Sequence, residues 1–228
     1  MTEDYWRTFW KEGEITENED PQNQVGRTKF GKTIEKEVWV DTLQFIKEKL
    51  QLNPDHRVLE LCAGNGLVTA EIAKHVDSVV AVDYSKKLLD SFVVHDGNVE
   101  KIHSDVLSFS IQKESYDRIL LYFSAQHFSE LEMTKIVSNS WAGLRQDGML
   151  YIGDIPDIEK RWDFYNKKTY RQFLFDKFLK NEHHIGTWFD AKFFLYLGEY
   201  TGFRESERIE QPSFMINASH RFDIMYKK

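Results

Sequence analysis

From Arg57 onward, short apolar runs alternate with stretches of helical spacing, and this alternation restricts the fold of the 228-residue chain more than any other feature. "RVLELCA" is a continuous apolar strand, followed by the helix "LVTAEIAKHV". "SVVAVDY" is a second buried strand, followed by "SKKLLDSFVVHD", where Ser85 is placed to cap a helix. "VEKIHSD" is a third, more polar strand and "YDRILLYFSA" a fourth. In "SELEMTKIVSNSWAGL", the helix after it, Ser129 and Glu132 fit a capping box. "RQDGMLYIGDI" supplies a turn and a fifth strand, and "RESERIEQP" with "INASHRFDIMYKK" reads as a closing strand pair. Short apolar strands joined by helices pair in parallel with both sheet faces covered, which is a doubly wound α/β fold.

Two regions fall outside the alternation. "DYWRTFWKEGEITENEDPQNQVGRTKFGKT" reads as short helix and irregular structure, and "IEKEVWVDTLQFIKEKL" then sets Val38, Leu43, Phe45, Ile46 and Leu50 at helical spacing. "QLNPDH" ends that helix, because the residue before a proline disfavours it. Residues 1–54 are therefore expected as an N-terminal helical cap and residues 55–228 as the core. From Pro156 to about Asp190 an aromatic, basic, helical stretch interrupts the pattern, placed as a lid-like insertion after strand five. "AKFFLYLGEYTGF" resumes as a helix.

The bulk numbers narrow the chemistry. The single cysteine, Cys62, permits no intrachain disulfide framework or thiolate zinc site, which fits a reducing cytoplasm. The adjacent His183 and His184 diverge on a helix and make a poor metal pair, so no metal is expected. No basic-then-apolar segment opens the sequence, and no apolar run reaches the roughly 18–20 residues of a membrane span, so no membrane partner is expected. A formal charge of −7 argues against nucleic acid, whose phosphates are bound chiefly by cations.

The turn "ELCAGNG" after the first strand brings glycines close to a ligand. A dinucleotide fingerprint needs a third glycine where Thr69 stands, although Gly64 and Gly66 fit the first two positions. Asp83 ends the second strand, from which a carboxylate can accept both ribose hydroxyls, and Asp105 ends the third, within reach of an adenine edge.

In these residues the chain resembles the class I S-adenosylmethionine-dependent methyltransferases, from about Arg57 to the end and most closely through Phe128. The matching features are Glu60, Gly64 and Gly66 at the first strand, Asp83 and Asp105 closing the next two, and Tyr116-Asp117 opening the fourth. The resemblance implies a mostly parallel seven-stranded sheet in three αβα layers, its last strand antiparallel beside strand five. It also implies S-adenosylmethionine as donor and S-adenosylhomocysteine as product. Gly64 and Gly66 would meet the methionyl part and ribose, with Glu60 orienting the loop. Asp83 with Tyr84 would take the ribose side, and Asp105 with the Val106 amide the adenine. Arg27, in the arm "NQVGRT", would touch the donor carboxylate or the acceptor, with a purely structural arginine as the alternative. Glu60 and Asp105 also read as local caps, and Cys62 as a packing residue.

The family places the acceptor beyond strands four and five, which end in "FSAQHF" and "IGDIPD". His127 leads as catalytic base and Asp154 follows; packing against the adenine or helix capping is the alternative for His127, and capping for Asp154. The motif of base N-methylating relatives, with its paired prolines, is missing from "YFSAQHF". A small-molecule acceptor is expected, with a sugar or nucleotide sugar as its narrower form. A silent S-adenosylmethionine-binding scaffold and an NAD-dependent oxidoreductase are the competing functions.

Overall fold

The computed structural model describes residues 2–12, 20–29, 32–92 and 97–228. Helices α1 (Thr2–Glu12) and α2 (Pro21–Gln24) precede a small antiparallel ribbon that pairs Thr28–Lys29 with Lys32–Thr33. Helix α3 (Lys36–Leu50) leads into β1 (Arg57–Leu61), α4 (Thr69–Ile72), β2 (Ser78–Asp83), α5 (Lys86–Asp90), β3 (Val99–His103) and β4 (Tyr116–Tyr122). Then come α6 (Glu130–Gly143), β5 (Leu144–Pro156), α7 (Arg161–Phe164), α8 (Lys168–Leu179), α9 (Ala191–Thr201), β6 (Glu205–Glu210) and β7 (Arg221–Lys227).

The seven-stranded sheet has the order β3-β2-β1-β4-β5-β7-β6. Strands β1 to β5 run parallel, and β7 is antiparallel to both β5 and β6. The chain winds outward from β1 in one direction and from β4 in the other, so a crevice opens where the carboxyl ends of these two strands diverge. This is the doubly wound, mostly parallel α/β sheet expected from the sequence, with its antiparallel last strand.

Side chains alternate across each strand, so each face collects its own core. On one face, Leu59, Leu61, Ile119, Leu121 and Ile152 pack against Met133, Ile136 and Val137 of α6 and Phe194 and Leu197 of α9. On the other, Val58, Val79, Leu120 and Tyr151 pack against Ile46 and Leu50 of α3 and Val68 and Ile72 beside and within α4. The capping box of α6 forms as expected: the Ser129 amide donates to Glu132 Oε2 at 2.8 Å and the Glu132 amide to Ser129 Oγ at 3.3 Å.

Two helices are shorter than their patterns suggest. "LVTAEIAKHV" yields an α-helix only over Thr69–Ile72, continued by a 3-10 turn through His75, because the glycine turn occupies the chain as far as Val68. "SKKLLDSFVVHD" is helical over Lys86–Asp90 with Ser85 as its cap; residues 93–96 of that stretch lie outside the described residues. Residues 13–19 and 30–31 of the N-terminal segment also lie outside them.

Candidate active site

The glycine turn sits at the strand-order reversal. Gly64 and Gly66 hold φ of +58° and +81°, a region that an L side chain enters only with strain. A Cβ on Gly66 would lie 2.5 Å from the Phe92 ring, so that glycine is fixed by contact as well as by conformation. Asp83, at the end of β2, ties the glycine turn to the start of α5: its Oδ2 accepts from the Gly64 amide and its Oδ1 from the Ser85 amide, each at 2.8 Å. Burial raises the Asp83 carboxyl against the opposing pull of these backbone donors.

Thr69, which breaks the dinucleotide fingerprint, has a definite partner. Its hydroxyl donates to Glu60 Oε2, tying the start of α4 to β1. Glu60 is buried and its carboxyl is pushed up to about 8, mainly by desolvation. At neutral pH Glu60 is therefore largely the neutral acid. Cys62, with φ +58°, has its thiol raised by burial and nearby carboxylates, which suits a packing residue and not a nucleophile.

These residues line a cleft with about 1060 Å³ of empty space, part of it open to solvent. Of the residues singled out in the sequence, Glu60, Gly64, Asp83, Tyr84, Asp105, Val106, Arg27 and His127 share its wall, and Gly66 lies in the turn beneath it. Asp105 accepts from the Leu107 amide at 2.9 Å and lies 3.2 Å from the Arg7 guanidinium.

The arm "NQVGRT" folds onto the glycine turn. Buried Asn65 donates from Nδ2 to the Pro21 carbonyl and to Gln24 Oε1, both at 2.8 Å. Arg27 is 4% exposed and lies over the rings of Tyr122 and Phe123, at 4.2 and 4.6 Å from their centroids. Its Nη2 is buried without a hydrogen-bond partner, and among the described residues it enters no ion pair. A buried guanidinium of this kind is costly until an anion meets it.

His127 closes the 3-10 turn after β4. Its Nδ1 is fully enclosed and unpartnered although the residue itself is only partly buried. Burial, with the Arg221 charge adding to it, lowers its pKa to about 3, so the ring is neutral at ordinary pH. Asp154 is placed differently. It is 1% exposed, does not line the cleft, and accepts from Gln211 Nε2 at 3.2 Å and Asn217 Nδ2 at 3.0 Å. Its φ of +62° falls at the register shift of β5, turning its carboxylate toward the β6–β7 connection.

Helix α1, expected only as part of the cap, also supplies site residues. Trp6, Arg7 and Trp10 line the cleft, and the rings of Trp6 and Trp10 lie 4.4 and 5.7 Å from that of His127. The Tyr84 hydroxyl donates to the Arg7 carbonyl and that of Ser85 to the Trp10 carbonyl at 3.1 Å. The available signal was "DYWRTFW", which puts Tyr5, Trp6, Phe9 and Trp10 along one helical flank.

Comparison with known proteins agrees with this geometry. Residues 58–148 match a family model described as a methyltransferase domain. A demethylmenaquinone methyltransferase of Clavibacter sepedonicus is 26% identical over 119 residues, covering 49% of this chain and 48% of the relative. An uncharacterised methyltransferase of Bacillus subtilis strain 168 is 30% identical over 105 residues, covering 44% of this chain and 41% of the relative. The matches thus span less than half the length of these curated relatives. Among solved structures, phosphoethanolamine N-methyltransferase 1 of Haemonchus contortus, in complex with phosphoethanolamine and S-adenosylhomocysteine, superposes with a TM-score of 0.68 at 15% identity, covering 99% of this chain and 48% of that one. An S-adenosylmethionine-dependent methyltransferase from Listeria monocytogenes gives 0.63 at 16% identity, covering 83% and 99%.

Proposed function

We propose that this chain, which carries a class I S-adenosylmethionine-dependent methyltransferase domain, transfers a methyl group to a small-molecule acceptor at the carboxyl end of β4. The observation that carries the reading is the Asp83 carboxylate bonded to the Gly64 amide of the glycine turn, in one cleft with Asp105.

The donor fits what is present. Bound S-adenosylmethionine supplies an electrophilic methyl carbon on a sulfonium, and S-adenosylhomocysteine remains after transfer. Asp83, beside Tyr84, keeps lone pairs free for the ribose diol while it fixes the turn. Gly64 and Gly66 permit close backbone approach to the methionyl part, and the orphaned Nη2 of Arg27 suits its carboxylate. Asp105 and the Val106 amide serve the adenine end, with Arg7 withdrawing from Asp105 or sharing it. Glu60 orients the turn through Thr69 and becomes an anion when a cation stands nearby. Residues 1–54 act as the cap and residues 156–190 as a lid beside the acceptor.

Around β4's end the wall is aromatic, built from Tyr122, Phe123, Trp6 and Trp10. Such a wall favours a small acceptor with an apolar or aromatic body over a hydroxyl-rich sugar. His127 lines this space as a neutral ring and is suited to accept a hydrogen bond that orients the attacking group. Alignment and exclusion of water supply the rest of the rate. Asp154 acts by holding the end of β5.

The test follows labelled methyl transfer from S-adenosylmethionine to pooled amines, phenols, carboxylates and sugar phosphates. His127→Ala is expected to lower turnover about 10²-fold with donor affinity kept. Turnover near the native rate makes His127 a packing residue, and no transfer to any acceptor favours a silent binding protein.

A further inference from the structure

Helix α8 carries six large apolar or aromatic side chains among its twelve residues and buries almost none of them. Its polar residues without charge reduce to Thr169 and Gln172, yet Leu174 is the only residue it buries. Tyr170, Phe173, Phe175, Phe178 and Leu179 are exposed, Leu179 to 87%, and Trp162 of α7 adds a sixth exposed large side chain. Exposed apolar side chains gathered this densely mark a contact surface.

The charge of the same segment is opposite to that of the whole. Residues 160–180 contain seven Lys or Arg against Asp163 and Asp176, a net +5 in a chain of −7. The cations are interleaved with the rings: Arg161 lies 5.2 Å from the Trp162 centroid, Lys167 5.3 Å from Tyr170 and Lys177 5.7 Å from Phe173. Arg171 donates to the Tyr165 and Asn166 carbonyls and Lys177 pairs with Glu182. Among the described residues, Lys160, Lys167, Lys168 and Lys180 enter no ion pair.

We propose that the α7–α8 insertion is the docking surface by which this protein lies on an anionic lipid bilayer. Aromatic and leucine side chains reach the acyl boundary while the unpaired lysines meet lipid phosphates. A second copy fits less well, because a twofold contact would set one +5 patch against another. The insertion adjoins the cleft, since the Thr187 amide donates to the Gln126 carbonyl at 2.9 Å and the His183 ring stacks 6.2 Å from Trp6. No helix among the described residues is long and apolar enough to cross a membrane, so the contact is peripheral.

Vesicle flotation of the full chain tests this, with phosphatidylcholine vesicles compared with vesicles holding one third phosphatidylglycerol. Salt-sensitive binding to the anionic vesicles is expected, on the order of 100-fold weaker in a Lys167→Gln, Lys168→Gln, Lys180→Gln variant, since each lysine near the surface contributes about a factor of five. Phe175→Ser with Leu179→Ser should weaken it further at unchanged fold by circular dichroism. Absence of native binding, or equal binding to neutral vesicles, overturns the proposal. So does a concentration-dependent dimer that the Ser variant abolishes. Methyl transfer is assayed separately without vesicles, and neither its loss nor its retention decides the docking.

Discussion

At Glu60, burial holds the carboxyl near 8, so between the ordinary carboxylate range and pH 8 the folded chain keeps a proton that the unfolded chain releases. The stability tied to that proton is complete below about pH 4.5 and is lost as pH rises through 8. Glu60→Gln keeps a partner for the Thr69 hydroxyl and removes the titration. Chemical denaturation from pH 5 to 9 should therefore show a falling stability in the native chain and a flatter curve in the variant. The same group separates a cationic from a neutral ligand. Affinity for S-adenosylmethionine relative to S-adenosylhomocysteine should rise from pH 6 to 9 and stay level in Glu60→Gln. A ratio that does not move with pH in the native protein removes Glu60 from the neighbourhood of the sulfonium.

Helix α1 shows how an element far from the glycine turn in sequence can cover it. Its polar contacts include Arg7 with Asp105 and Glu132, the Arg7 carbonyl with Tyr84, and the Trp10 carbonyl with Ser85. Arg7 is about half exposed, so these ion pairs are worth little individually, and the helix is held by several weak ties. A ligand trapped beneath it adds contacts to Trp6 and Trp10. Amide exchange across Thr2–Glu12 should slow when S-adenosylhomocysteine is bound, measured by mass spectrometry; unchanged exchange means α1 does not close over the ligand. The element scale also separates what the sequence made legible from what it hid. Asp83 and the glycines were readable because strand ends and turns are local patterns. The roles of Trp6, Arg7 and Trp10 depend on partners such as Asp105, His127 and Glu132, about a hundred residues away, and no local spacing encodes such pairings.

Across the whole molecule, the antiparallel end of the sheet braces the carboxyl end of β5. Asp154 accepts from Gln211 and Asn217, its amide donates to Asp223 at 2.8 Å, and its carbonyl accepts from Arg221 at 2.6 Å. In the sequence Asp154 looked like a strand-end acid open to substrate, but its partners come from the last strand pair and its left-handed backbone turns it away from the cleft. Asp154→Ala leaves the Asn217 amide without its acceptor and removes the carboxylate 3.9 Å from the buried Arg221 guanidinium, and should cost on the order of 3 kcal/mol of stability. Donor affinity of the folded fraction should stay near native. Lost turnover at an unchanged melting temperature would instead restore Asp154 as a catalytic group. The fold itself was legible, since alternating strands and helices with capped ends leave few topologies, and the strand-order reversal fixes where a ligand sits. The central claim, that this crevice holds S-adenosylmethionine, is tested most directly by titration calorimetry of S-adenosylhomocysteine and NAD against the native chain and Asp83→Ala. Saturable binding of the homocysteine ligand, weakened by about 1–3 kcal/mol in the variant, is the predicted result; binding of NAD alone contradicts it.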